Sequence, residues 1–213
     1  MPQEHYFSAS PSGEMVLTQL SVTLAGQQVQ VVTAGGVFSP GAVDTGTQVL
    51  LSHVPPPAPG GDLLDLGCGW GPIALSLAME SPRATVWAVD VNERSLELTR
   101  RNAKNLGLSN INAVRPEDVP ADARFTTIWS NPPIRVGKGE LHSMLDLWLP
   151  RLDVGSDAWL VVARNLGSDS LQRWLDARHS PTLQVGRAAT HKGFRVLRVR
   201  HRRGARQPVD VIR

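Results

Sequence analysis

Asn131, in the run Ser130-Asn131-Pro132-Pro133-Ile134, is the residue of this chain best equipped for chemistry. An amino group attached to an aromatic ring is a poor nucleophile while its lone pair is delocalised into the ring. Hydrogen bonds from its two protons to the Asn131 side-chain oxygen and to a nearby backbone carbonyl favour a more tetrahedral nitrogen. Its lone pair can then be aimed at an electrophile. Proline fixes φ, so Pro132 and Pro133 would hold such acceptors in place before the reaction begins. The expected catalytic group is therefore Asn131, Pro132, Pro133 and Ile134. The rival reading is an ordinary Asn-Pro turn, which the run taken alone would favour.

Upstream lies Asp65-Leu66-Gly67-Cys68-Gly69-Trp70-Gly71. Three alternating glycines let a backbone turn sharply and approach a ligand closely. A dinucleotide fingerprint needs another glycine three positions after the second one, and Pro72 stands there, so a pyrophosphate is not the guest this spacing suggests. Asp90, in Val89-Asp90-Val91, suits the two hydroxyls of a ribose. It could instead cap the next helix, a role open to Asn92. Asp118, in Pro116-Glu117-Asp118, could meet an adenine amino group or be a turn acid at the surface. The expected cofactor contacts are Asp65, Gly67, Gly69, Gly71, Asp90, Asp118 and Asn131.

These residues need a frame. Residues 15–33 alternate as two strands about the turn Ala25-Gly26. Asp44 can cap a short helix ending near His53. The run 55–61, Pro-Pro-Pro-Ala-Pro-Gly-Gly, reads as a stiff connector. Strands are then expected at 63–66, 85–89, 111–114, 126–129 and 158–163, with helices at 72–79, 92–106, 141–149 and 170–177. A closing antiparallel pair is expected at 183–185 and 194–199. The alternation implies a mainly parallel sheet covered on both faces, with ligands beyond the carboxyl ends of its strands. The segments are a cover (1–54), the connector (55–61), a main domain (62–201) and a basic tail (202–213).

The chain has 213 residues, 41% hydrophobic, which suits one full core. No apolar run is long enough to span a bilayer, and Met1-Pro2-Gln3-Glu4-His5 lacks the features of a signal peptide. The lone cysteine, Cys68, allows no internal disulfide, and the six histidines show no metal-site spacing. A cytoplasmic protein without metal or membrane is expected; the oligomeric state is left open. From Arg187 to the end there are nine Lys or Arg and one acid, a net +8 on an otherwise acidic chain. Such an end suits a polyanion, or is a solvated tail.

The ordered set His5-Tyr6-Phe7-Ser8, Gly36-Val37-Phe38-Ser39, Asp44-Thr45-Gly46-Thr47, the glycine loop, 130–138 and Lys192-Gly193-Phe194-Arg195-Val196-Leu197 resembles the class I S-adenosylmethionine-dependent methyltransferases. More narrowly it resembles the small-methyltransferase-domain group that includes ribosomal RNA guanine-N2 methyltransferases. The resemblance implies a Rossmann-like α/β fold: a seven-stranded sheet with an antiparallel last strand, preceded by the hairpin and short helix. It implies S-adenosyl-L-methionine as cofactor, the loop at Phe38 and Asp44-Thr45-Gly46 packed over cofactor and target, and substrate contacts from Phe38, Arg135, Lys138 and Lys192. Two features depart from the family pattern. A single-domain form is expected, without the additional N-terminal domain of the bacterial ribosomal enzymes. Ile134 stands where an aromatic residue would stack on the target base, so either Phe38 or Phe7 supplies that surface or the target differs.

The first reading is methyl transfer to an exocyclic amine of an RNA base, guanine N2 of ribosomal RNA foremost. A protein glutamine amide or DNA adenine is the alternative substrate. A noncatalytic RNA-binding module is the alternative class.

Overall fold

The computed structural model describes residues 14–133 and 137–204. The first alternating stretch forms β1 (Leu17–Leu24) and β2 (Gln27–Ala34), an antiparallel pair with Leu24 opposite Gln27. Ala25 and Gly26 both take positive φ, 48° and 72°, the backbone twist a two-residue hairpin turn requires. A loop leads to α1 (Thr45–His53), capped by Asp44, whose carboxylate accepts from the backbone N–H groups of Gly46 and Thr47.

The remaining elements are β3 (Asp62–Leu66), α2 (Pro72–Glu80), β4 (Thr85–Val89), α3 (Glu93–Asn105), β5 (Ile111–Val114), β6 (Phe125–Ser130), α4 (Lys138–Trp148), β7 (Leu152–Ala163), α5 (Ser168–His179), β8 (Leu183–His191) and β9 (Phe194–His201). Strands β3 to β9 build one seven-stranded sheet in the order β5-β4-β3-β6-β7-β9-β8. Its pairs are parallel up to β7, and β9 runs antiparallel to both neighbours. This is the fold the family resemblance implies.

Strand periodicity sorts the core. Leu64, Leu66, Ile128, Leu160 and Val162 face Leu141, Leu145 and Trp148 of α4 and Leu171 and Leu175 of α5. Their neighbours Leu63, Val86, Ala88, Trp129 and Val161 face α1, α2 and Leu96 of α3. Chain order reverses at β3, with β4 and β5 on one side and β6 and β7 on the other, so a crevice opens at the carboxyl ends of β3, β4 and β6.

The helix ends follow local chemistry. Asn92 caps α3 by accepting from Arg94 and Ser95 N–H. Gly107, at φ 68°, ends that helix with Leu108 N–H bonded to Ala103 O and its own N–H to Lys104 O, a Schellman stop. The cap of α2 is Gly71, which has no side chain. Asp65 supplies the missing acceptor from β3, taking Ala74 N–H at 2.9 Å.

The hairpin rests on α2 and α3. Leu24, Val31 and Ala34 pack on Trp70, Leu75, Leu98 and Ala103. Asn102, fully buried on α3, acts as a strand partner for β2: its Oδ1 accepts Val32 N–H at 2.7 Å and its Nδ2 donates to Val32 O at 2.9 Å. Nδ2 also donates to Trp70 O at 3.0 Å. Asn102→Ala leaves these backbone groups buried without partners, so a loss of about 2–3 kcal/mol is expected in urea denaturation.

Strands β7, β8 and β9 run two or more residues past one of the ends expected from sequence. β7 begins at Leu152, and its pairing with β6 is interrupted by a bulge between Leu152 and Asp157 that contains Gly155 at φ 81°. That irregularity and the exposed Val154 hide its first half from any alternating pattern. β8 continues to His191 as an edge strand with one polar face, and β9 continues through Arg200 to His201. Both arginines of β9's outer half are paired: Arg198 Nε and NH2 reach the Asp157 oxygens at 2.8 and 2.9 Å, and Arg200 NH1 reaches Asp157 at 3.0 Å.

Candidate active site

Ser130 joins the two motifs. Its hydroxyl, buried at the end of β6, donates to Leu66 O at 2.6 Å, tying the start of the Asn-Pro-Pro run to the start of the glycine loop. Around that junction lies a cleft of about 910 Å³, within the range of small-molecule sites.

The glycine loop forms one wall. Gly67, Gly69 and Gly71 have φ of 82°, 56° and 99°. Gly67 and Cys68 N–H both bond Val89 O, at 2.8 and 3.0 Å, and Gly69 N–H donates to Asp90 Oδ2 at 2.9 Å. Gly67 and Gly69 line the cleft, and a Cβ added to Gly69 would meet nothing within 4 Å. Asp90 also lines it, and its Oδ1 accepts Asn92 N–H at 2.9 Å. Burial raises the Asp90 pKa, opposed by these backbone donors. These donors leave part of the carboxylate's acceptor capacity for a ligand's hydroxyls. The capping alternative for Asp90 falls to Asn92.

Three of the expected cofactor contacts are not brought to the cleft. Asp65 lies beneath the loop with no exposed surface. Burial pushes its carboxyl well above the usual range, against the pull of Ala74 N–H and with added repulsion from Asp90. It holds the loop's helix. Gly71 is spent on packing: a Cβ there would lie 2.9 Å from Thr99 Oγ1. Asp118 is exposed in a 3-10 turn, with its N–H bonded to Arg115 O, while Pro116 of the same turn faces the cleft. Cys68 is buried and its thiol pushed up by that burial, which suits a space-filling residue.

Asn131, Pro132 and Pro133 form the next wall. Asn131 Nδ2 donates to Asp44 Oδ2 at 2.9 Å and to Thr47 Oγ1 at 3.0 Å. Both amide protons are thus engaged, and its Oδ1 has no partner among the described residues. Ile134 and Arg135 lie outside the described residues, as does Phe7. Phe38, 40% exposed, lines the cleft from a loop that three side chains pin down. Trp70 Nε1 donates to Ser39 O, Asn92 Nδ2 to Gly36 O and Arg94 NH1 to Gly35 O. Lys138 opens α4 and Lys192 sits at φ 46° in the β8–β9 turn; both are exposed, and neither is part of the cleft wall.

The lining also holds residues that the motifs do not point to. Glu140, Ser143, Met144 and Leu147 come from α4, Asn165 and Leu166 from the turn after β7, and Phe194 from the start of β9. One signal was available. Leu141, Leu145 and Trp148, with Met144 half-buried beside them, make the core stripe of α4, and Leu147 falls off it, 58% exposed. Among the described residues no group of three His, Cys, Asp or Glu could hold a metal ion, and no helix is long and apolar enough to cross a membrane.

Residues 28–198 match the family model described as the methyltransferase small domain. The chain belongs to that family: it is a class I methyltransferase, of the kind that uses S-adenosylmethionine. Among its relatives is an uncharacterized protein of Bacillus subtilis, YbxB, 34% identical over 170 residues, covering 78% of this chain and 85% of the relative. The ribosomal RNA small subunit methyltransferase C of Aeromonas hydrophila is 36% identical over 126 residues, covering 58% of this chain and 36% of that enzyme. Among solved structures, the T. thermophilus 16S rRNA N2 methyltransferase, determined with AdoMet and guanosine, superposes with a TM-score of 0.75 at 24% identity. That match covers 91% of this chain and 52% of that one, and shows the shared fold. The chain thus spans about a third to a half of the ribosomal RNA methyltransferases it matches.

Proposed function

We propose that this protein transfers a methyl group to an exocyclic amino group of an RNA base in the cytoplasm, with guanine N2 of ribosomal RNA the foremost target. The observation that carries the reading is the Asn131 side chain. Its two amide protons are taken by Asp44 and Thr47, so it presents an acceptor oxygen at the cleft. An amine that donates a hydrogen bond to that oxygen is oriented and its lone pair freed. Gly67, Gly69 and Asp90 would hold the cofactor: open space beside the Gly69 backbone and spare acceptor capacity on a strand-end carboxylate fit an adenosyl group. When bound, S-adenosylmethionine supplies an electrophilic methyl group on a sulfonium sulfur. The protein's own part is then positioning and exclusion of water.

The apolar part of the lining suits a flat ring. Phe38, Met144, Leu147, Leu166 and Phe194 offer apolar and aromatic surface, and Phe194 and Phe38 stand in for the missing aromatic at position 134. Glu140 adds a carboxylate on the first turn of α4. A carboxylate accepts the N1–H of guanine and opposes the unprotonated N1 of adenine, which supports guanine over adenine.

The basic end contributes less free charge than its composition suggests. Arg198 and Arg200 share Asp157, and Arg187 and Arg195 share Asp169. Lys138, Lys192, Arg202 and Arg203 remain as candidates for phosphate contacts. The test is transfer of labelled methyl from S-adenosylmethionine to total RNA, DNA and protein from cells lacking the gene. Label in ribosomal RNA, recovered as N2-methylguanosine after digestion, is expected. Label in protein or DNA alone overturns the substrate reading.

A further inference from the structure

Asp44 meets Asn131 across 87 positions of sequence. Its Oδ2 accepts from Gly46 N–H at 2.8 Å, Thr47 N–H at 3.4 Å and Asn131 Nδ2 at 2.9 Å. We infer that Asp44 is a positioning residue for methyl transfer, fixing which way the Asn131 amide faces and strengthening its oxygen as an acceptor. The inference rests on the reading of Asn131 given above.

The physical case has three parts. A side-chain amide can turn over and exchange its oxygen with its nitrogen at little steric cost. A carboxylate accepts only, so the turned amide would set oxygen against oxygen at Asp44. The Thr47 hydroxyl cannot make this choice, because a hydroxyl donates or accepts equally well. Asp44 therefore decides the orientation, and the acceptor is held toward the cleft before any substrate arrives. Second, a charged acceptor on one end of an amide draws electron density toward its oxygen, and charge-assisted bonds are about twice as strong as neutral ones. Third, the contact has been given room. A Cβ added to Gly46 would lie 2.9 Å from Asp44 Oδ2, 3.0 Å from Phe194 Cε1 and 3.3 Å from Asn131 Nδ2. Gly46 sits inside α1 at ordinary helical geometry, so its lack of a side chain serves this close approach and not a strained turn.

The bland role for Asp44 is the cap of α1 alone. Asp44→Asn separates the two, since asparagine is as good a cap as aspartate but carries no charge and can itself turn over. The assay uses full-length protein, tritiated S-adenosylmethionine and ribosomal RNA extracted from cells lacking the gene. Asp44→Ala is expected to lower kcat by about tenfold or more with KM and cofactor affinity within about twofold. Asp44→Asn is expected to retain the wild-type melting temperature and still turn over several-fold slower. The double variant Asp44→Ala/Asn131→Ala is expected to be no slower than Asn131→Ala, because Asp44 acts through Asn131.

Additive losses in the double variant, or full recovery of kcat in Asp44→Asn, overturn the inference. If Asn131→Ala is slow while Asp44→Ala is normal, the inference fails and the proposed function stands. If Asn131→Ala turns over normally, the inference and the role given to Asn131 both fail, while methyl transfer to RNA stands; a wild type that leaves the RNA unlabelled overturns the proposed function itself. A second readout needs no substrate. The Asn131 side-chain NH₂ protons, followed by NMR, are expected to exchange slowly with solvent in the wild type and at least tenfold faster in Asp44→Ala; equal exchange overturns the inference whatever the assays give.

Discussion

Asn131→Ala is expected to lower turnover by about a hundredfold or more, as loss of a preorganised polar contact does. S-adenosylmethionine affinity is expected to stay within about twofold. The loss should fall on kcat, because an acceptor that strengthens as the amine nitrogen becomes tetrahedral acts mainly in the transition state. The fold is not at risk. Asn131 is half-buried, and removing its amide leaves Asp44 its two backbone donors at the start of α1. Rates on ribosomal RNA, with cofactor titration by calorimetry, separate the two quantities. Near-normal kcat in the purified variant excludes Asn131 from the chemistry, and a matching loss of cofactor affinity reassigns it to cofactor binding.

The second large effect is at Gly69. Gly69→Val is expected to abolish measurable S-adenosylmethionine binding, a weakening of about a hundredfold or more, in a protein that still folds. The side chain would enter open space in the cleft, where the cofactor would sit. The φ of 56° also strains a β-branched residue and loosens the Gly69 N–H bond to Asp90. Gly71→Val is the contrast. Its Cβ would press into Thr99 inside the fold, so thermal unfolding should reveal a damaged protein before any binding is measured. Calorimetry on both variants, with circular dichroism as the fold check, reads the difference. A Gly69→Val protein that binds the cofactor normally would falsify the placement of the cofactor on this loop.

How much was legible in the sequence depends on the range of the interaction. The hairpin, the Asp44 cap, the Asn92 cap and the Gly107 stop are written within a few residues of where they act, so local chemistry specified them. The parallel strands around the crevice are buried on both faces and read as continuous apolar runs bounded by turn residues. Those runs and the alternation of strand and helix determined the fold class. Loop chemistry placed Gly67, Gly69, Asp90 and Asn131 at strand ends, which in such sheets is the ligand side.

Contacts between distant segments were not legible, because no periodicity records them. Only the folded chain puts Asp44 and Thr47 against the Asn131 amide, seats Asp65 under the α2 terminus, and turns Met144, Leu147 and Phe194 toward the cleft. Only it shows Asp157 and Asp169 taking up four arginines of a segment that composition marks as freely basic. Residue types set which bonds these groups can make; the strand order set which partners they meet. A carboxylate at the start of a helix reads as a cap until the sheet brings an amide to the same oxygen.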